Sequence, residues 1–596
     1  MNTSTAMFLQ ARPKFLFLAL VVLFVAVPFA PAQKTVTPQE NATKAQAAYS
    51  QGMAELQKGA LDTARTAFER AARLAPRSPE AHNSLGWVLL QQGLADSAMS
   101  QFRLALKLKP DFTQAHINLA NALASQHDFA EATSEARGAV RAAPKDSEAH
   151  RTLGRVLGLR GDLNDAIAEL QEAVTFDPRR PEVHDDLGSL YVQEGRIDEA
   201  ADQFAQALQL EPDYFAAQLH LGIIRWQQKS LAAAHELLNK AVLSNPQSAQ
   251  AHFYFARVLA EEQQIPRAIE ELKQATSLQP DFADGQESLG LLAQRSGDTE
   301  TAVTAFRKLI QLRPNDPDGH NNLGLALIQA GDAAGSIPEF QAAIQLRPND
   351  PSYTENLGTA YLQRADFDSA IQQFQAALKI APQDATAHYD LGLALKLKDR
   401  LPEAISEFQH AAELAPNQPD IHYTLGVTLW QKGQFADAER ELRAATTAKP
   451  DYAEAFYTLG TVLKQDNKLE DAATALRKAI GIDPNLVGAH TNLASILRQQ
   501  GDAAAAEAET RRAQELFRQS NSLQAATFST NSGKKLLQAG DLDGAISQFR
   551  SAIKLAPNYV PAHQQLAAAL AQKGQKAEAE EEFRKAAQLM ETKPAP

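Results

Sequence analysis

Proline returns at positions 76, 110, 144, 178, 212, 246, 280, 314, 348, 382, 416, 450 and 484, thirteen times at an unbroken interval of 34. A single compact core stops growing near ~250–300 residues, and this chain has 596. A fixed period of this length instead implies one supersecondary unit stacked on copies of itself. Each proline lacks an N–H and clashes with the turn before it, so it closes a helix.

Three further signals keep the same period. A Leu followed by Gly or Ala recurs, as in Leu85-Gly86, Leu153-Gly154, Leu357-Gly358 and Leu459-Gly460. Twelve positions on comes Ala (Ala98, Ala166, Ala370), and four beyond that Phe or Leu (Phe102, Leu170, Phe374), a spacing that puts both on one helix face. Glycine separates the two helices of most units (Gly59, Gly93, Gly161, Gly331, Gly501), where a helix ending in a left-handed residue favours it. Local and global patterns agree, as a foldable array requires.

The 34-residue helix-turn-helix period with these residues resembles the tetratricopeptide-repeat family over residues 45–593. The resemblance implies an all-α, right-handed superhelical solenoid of about sixteen helix pairs. Fourteen contiguous repeats are expected over 45–520, a break in period at 521–525 with Arg518 in the proline slot, two repeats over 526–593 and a tail at 594–596. The break reads as a kink or a lengthened helix. Asparagine before the Leu-Gly or Leu-Ala pair (Asn118, Asn322, Asn356, Asn492) is similar to the asparagine ladder in the repeat region of O-linked N-acetylglucosamine transferases. There, side-chain amides on a concave surface grip a peptide backbone. Only a minority of repeats here have that asparagine, and no catalytic domain follows.

The N-terminus reads as a secretory signal over residues 1–32, followed by a linker over 33–44. Arg12 and Lys14 precede an apolar run from Phe15 to Phe29, and Ala30-Pro31-Ala32 supplies small residues for cleavage after Ala32. An uncleaved anchor is the alternative, although the run is shorter than the ~20 residues that span a bilayer. The expected location is periplasmic or extracellular, with membrane contact only through the signal or through partners. The chain has no cysteine, which excludes disulfides, thiolate metal sites and cysteine nucleophiles. A net charge of −13 argues against nucleic acid, whose phosphates call for clustered Lys and Arg.

Ten of the 14 histidines share one repeat position, from His82 to His563. They admit three readings: inter-helix packing, a pH response or a metal array. The last suffers because equivalent side chains on helices about 8–10 Å apart run parallel and do not converge on one ion. The segment His235-Glu236-Leu237-Leu238-Asn239 fails as a zinc-protease motif, with Asn where the second histidine belongs. Phosphate-cradling loops and nucleophile elbows are missing, so no catalytic residue, metal or cofactor is expected. A clamp for C-terminal carboxylates is disfavoured by acidic or neutral slots on the early first helices (Glu148, Glu182, Asp318, Asp420, Glu454), Arg151 excepted. Glutamines near the first-helix ends (Gln91, Gln329, Gln431, Gln465) read either as a binding stripe or as plain helix formers.

Tyr389, Tyr423 and Tyr457 occupy one first-helix position in consecutive repeats, and Trp430 lies two helical turns after Tyr423. Tyrosine is also the family's common filler there, so the column reads as a binding strip or as packing. The expected function is a scaffold for proteins or extended peptides in envelope assembly or secretion. The alternatives are a glycan-handling part of polysaccharide export and a regulatory protein related to the glycosyltransferases.

Overall fold

The computed structural model describes residues 38–591, so the signal over 1–32, most of the linker and the tail at 594–596 lie outside the described residues. The described residues form 31 helices and no strand. None is long and apolar enough to cross a membrane. The chain divides into two compact units, Met1–Gln264 and Ile265–Pro596. Within each, helices pack in sequence as antiparallel pairs, each pair against the next.

The repeat boundary follows from proline. The residue before it cannot stay helical, and Ala75, Lys109, Ala381 and Lys449 are extended at φ between −124° and −139°. Each still donates its N–H to the carbonyl four residues back, as Ala75 does to Ala71 at 2.9 Å. The next first helix starts under a side-chain cap in several repeats: Ser78, Asp146, Asp316, Asp350 and Asp384 accept backbone N–H bonds. Pro79, Pro181, Pro317, Pro351 and Pro419 stand at the first helical position, where no N–H is needed.

The turn inside each pair holds one left-handed residue. In ten repeats it is glycine, from Gly59 at φ +73° to Gly574 at φ +85°. In the others it is His127, Lys229, Gln263, Ala365, Asp399 or Asn467, at φ between 57° and 63°. Geometry therefore holds where the glycine signal lapses.

The core is a knob in a hole. The glycine of each Leu-Gly pair faces the Phe or Leu sixteen residues on. A Cβ on Gly86, Gly188, Gly358 or Gly533, the last preceded by Ser532 in place of Leu, would lie 2.5–2.7 Å from a ring carbon of Phe102, Phe204, Phe374 or Phe549. Those four rings are sealed from solvent. Where the hole is filled by Ala120, the knob is the small Ala136.

The period breaks without breaking the helix. One 36-residue helix, Ala503–Gln538, serves as second helix of the fourteenth repeat and first helix of the fifteenth. No proline interrupts it, and its one glycine, Gly533, lies near its end. Residues 517–521 in its middle are all exposed.

Candidate functional site

Successive first helices are joined by a seam of side-chain pairs 35 residues apart. Tyr49 shares a hydrogen bond with Ser84 at 3.2 Å, and Asn118 donates to Asn83 at 3.0 Å. Arg151 pairs with Asp186 at 2.6 Å, His220 with Asp185 at 2.8 Å, and Asn356 donates to Asn321 at 2.8 Å. A period of 34 brings the same position round once per repeat. The extra residue reaches the neighbouring position on the next helix, so each rung joins two different columns.

The tyrosine column belongs to this seam. Tyr389 shares a 3.1 Å hydrogen bond with Thr424 and tilts against Phe408. Tyr423 packs on Tyr452 with ring centroids 5.1 Å apart. Tyr457 reaches into the next repeat, where a Cβ on Gly488 would meet its hydroxyl at 2.6 Å. Trp430 donates its indole N–H to Gln465 at 2.6 Å, so one of the stripe glutamines is already engaged. All four aromatics are half-buried and pack against one core cluster while keeping an exposed edge. Tyr389 and Trp430 spend their polar tips along the stack.

The asparagines divide similarly. Asn118 is buried between Asn83 and Gln114, Asn356 bonds Asn321, and Asn492 donates to Thr461 while accepting from Lys464 at 3.3 Å. Asn322 is half-buried. An amide has two donors and two acceptor lone pairs, so the engaged three retain capacity for a partner backbone.

One rung is mismatched. Glu355 stands in the tyrosine column and Asp390 in the column it should bond, so two acids meet where other rungs pair a donor with an acceptor. Neither carboxylate has a hydrogen-bond or ion partner among the described residues, and both are half-buried. Burial, with Asp384, Asp390 and Asp350 nearby, pushes Glu355 up to about 7. Burial and Asp384 push Asp390 up to about 6. Carboxylates so displaced take up a cation or a proton readily.

Where the column holds histidine, the side chain braces the two helices of its own repeat. The Nε2 of His116 faces the Pro110 carbonyl at 3.0 Å and its Nδ1 faces Glu135 at 2.6 Å; His150, His320, His388, His422, His490 and His563 repeat the arrangement. The arrangement sets an oxygen acceptor, carbonyl or carboxylate, against each ring nitrogen. For His422 the Glu441 bond outweighs burial and holds the ring above its ordinary value. The same bond holds Glu441 below its own. The sequence carries a trace of this brace that the histidines alone do not disclose. Nineteen residues after a braced histidine stands Glu or Gln, whereas Ala67, Leu237, Ala305 and Ala475 fill that slot in four of the six repeats whose histidine is replaced, and Gln373 and Gln548 in the other two.

Known proteins resemble the chain as follows. The sequence profile of the cilia and flagella-associated protein 70 C-terminal domain matches residues 26–290. Tetratricopeptide-repeat profiles match 287–351, 356–419, 423–487, 487–512 and 536–590. None of these profiles describes a glycosyltransferase, so that likeness rests on the few asparagines alone. No curated protein matches. Among solved structures, the Cut9-Hcn1 hetero-tetramer of the APC/C is 14% identical, covers 90% of this chain and 98% of its own, and has a TM-score of 0.35. A thermophilic tetratricopeptide-repeat protein of Thermus thermophilus is 27% identical over 30% of this chain and 99% of its own, with a TM-score of 0.28. YrrB, described as having an unusual peptide-binding site, is 23% identical over 34% and 100%, with a TM-score of 0.29.

Proposed function

Because the chain is a tetratricopeptide-repeat protein, we propose that it is a non-enzymatic scaffold that holds an extended, Lys- or Arg-bearing polypeptide along the first helices of its second unit. The observation that carries this reading is the mismatched rung. Glu355 and Asp390 are two half-buried carboxylates without a cation, beside a column of ring surfaces at Tyr389, Tyr423 and Trp430. A basic side chain would supply the missing partner, and the aromatic edges are of the type enriched at binding hot spots. Asn356 and Asn322 lie in the adjoining column, with amide capacity for a peptide backbone.

We propose further that the protein works outside the cytoplasm, in assembly or secretion at the cell envelope. The charged, apolar and small-residue zones of residues 1–32 support this. N-terminal sequencing of the mature protein should begin at Gln33; a start at Met1 in a cytosolic fraction overturns export.

The binding reading is tested with labelled extended peptides rich in Lys or in Glu. The Lys-rich probe should bind, weaken with salt and lose at least tenfold in affinity, about 1.4 kcal/mol, when Glu355→Gln and Asp390→Asn are combined. Replacing Tyr389, Tyr423 and Trp430 together by Ala should do the same with helicity retained. Equal binding of both probes, or affinity untouched by either set of changes, refutes it.

A further inference from the structure

One of the histidine braces differs from the rest. His388, on the helix Ala385–Leu397, faces Glu407 on Leu401–Leu414 with Nδ1 to Oε2 at 2.6 Å. Three residues after Glu407, on the same helix face, stands His410. Its ring is tilted against that of His388 with centroids 5.3 Å apart. One donor atom from each of the three side chains lies within 4.8 Å of the others. None of the other nine histidines in the column has a second histidine at this place.

We propose that His388, Glu407 and His410 bind a divalent transition metal ion of zinc-like preference, with solvent completing the coordination. Two imidazoles and a carboxylate are a recurrent ligand set for an open zinc site. The objection that histidines of successive repeats run parallel does not apply, because here the second histidine comes from the facing helix of the same pair. The hydrogen bond from Nε2 of His388 to the Pro382 carbonyl, at 3.3 Å, keeps the proton on that nitrogen. This leaves Nδ1 as the ligand atom, and a backbone carbonyl behind a ligating imidazole is the usual orienting contact. Bonds of ~2.0–2.1 Å give tetrahedral ligand separations of about 3.4 Å. The close Nδ1–Oε2 pair must open and the exposed His410 must swing in, both by side-chain rotation. Protons compete with the metal for imidazole nitrogen, so affinity falls as pH drops. The ion would clip the two helices of this one repeat together.

The test uses the full, untagged chain stripped with chelator and titrated with Zn2+ by calorimetry, and with Co2+ followed by visible absorption. One stoichiometric site per chain is expected, with a four-coordinate Co2+ spectrum. His410→Ala, at an exposed position, should weaken Zn2+ binding by more than ~100-fold, beyond the loss typical of an orienting contact. His422→Gln alters a brace that lacks the second histidine and should leave binding unchanged. Failure to take up one equivalent, uptake indifferent to His410→Ala, or equal loss in His422→Gln overturns the proposal.

Discussion

Adding one methyl group at Gly358 tests whether the glycine column is there for the rings that face it. A Cβ at this position would lie 2.7, 2.9 and 3.0 Å from Cε1, Cδ1 and Cζ of Phe374. Ordinary carbon contacts are ~3.5–4.0 Å, so ring and backbone must part by close to ~1 Å. Phe374 is 0% exposed and packed among Leu391, Leu395 and Ile371, which leaves the ring nowhere to turn. Such overpacking costs about 1–3 kcal/mol, and the better helix propensity of Ala returns up to ~1 kcal/mol. Gly358→Ala should therefore destabilise this repeat by about 1–2 kcal/mol. Phe374→Ala alone should cost about 3–5 kcal/mol. In the Phe374→Ala background the added methyl enters vacant space, as Ala120 does opposite Ala136, and Gly358→Ala should become neutral or stabilising. The expected coupling is about 1–3 kcal/mol. A repeat array does not unfold as one two-state unit, so the readout is native-state hydrogen exchange of amides in Pro351–Gln363 and Phe367–Ile380. A Gly358→Ala cost that is unchanged when the ring is gone would show that the clash is not its cause.

The other expectations are more local. Ala365, at φ +57°, occupies a conformation that costs a side chain about 1–2 kcal/mol, so Ala365→Gly should raise the stability of its repeat by about 1 kcal/mol; faster native-state exchange in Pro351–Gln363 and Phe367–Ile380 would contradict the turn geometry. The His422 brace makes its repeat sensitive to pH on two sides. With His422 held above its ordinary 6.5, that contribution is complete below 6.5 and drains as pH rises through the elevated value. With Glu441 held below its ordinary 4.5, the carboxylate's contribution is complete above 4.5 and drains as pH falls through the lowered value. Opening free energies of this repeat, from native-state exchange of amides in Pro419–Gln431 and Phe435–Ala448, should thus plateau between 4.5 and 6.5, and His422→Gln should flatten the alkaline side; an unaltered alkaline slope refutes the brace. Limited proteolysis should cut first within the exposed stretch 517–521, before the array from Ala45 to Pro484 is touched, and uniform resistance there would count against it.

The parts of this architecture that depend on a single residue's backbone chemistry were legible in sequence. Proline at 34-residue steps marks each repeat boundary, and the small residue before each knob marks the close approach of paired helices. Three things were less so. His127, Lys229 and Ala365 adopt the left-handed turn because the flanking helices impose it, against local preference. The seam joins residues 35 apart, one step off the period, and column-by-column reading at 34 passes over it. The tyrosine column could be placed, but whether its hydroxyls point to solvent or along the stack depends on what stands in the neighbouring column, such as Thr424 or Gly488. The meeting of Glu355 with Asp390 is hidden for the same reason, since each alone resembles a solvated charge.

The rungs between first helices also settle a problem of self-recognition. Repeats of equal length with interchangeable Phe and Leu knobs look alike to the hydrophobic effect, which is non-directional. A growing chain could seat the wrong repeat against a neighbour or trade one with another molecule, a common failure of such arrays. The rungs differ where the cores do not: Arg151 fits Asp186, Asp185 fits His220, and Asn321 fits Asn356. A repeat docked one place out of order would meet the wrong polar partner, and each buried group left unbonded costs about 1–3 kcal/mol. The seam thus works as an ordering key, cut differently at each joint, that lets near-identical modules assemble in one succession.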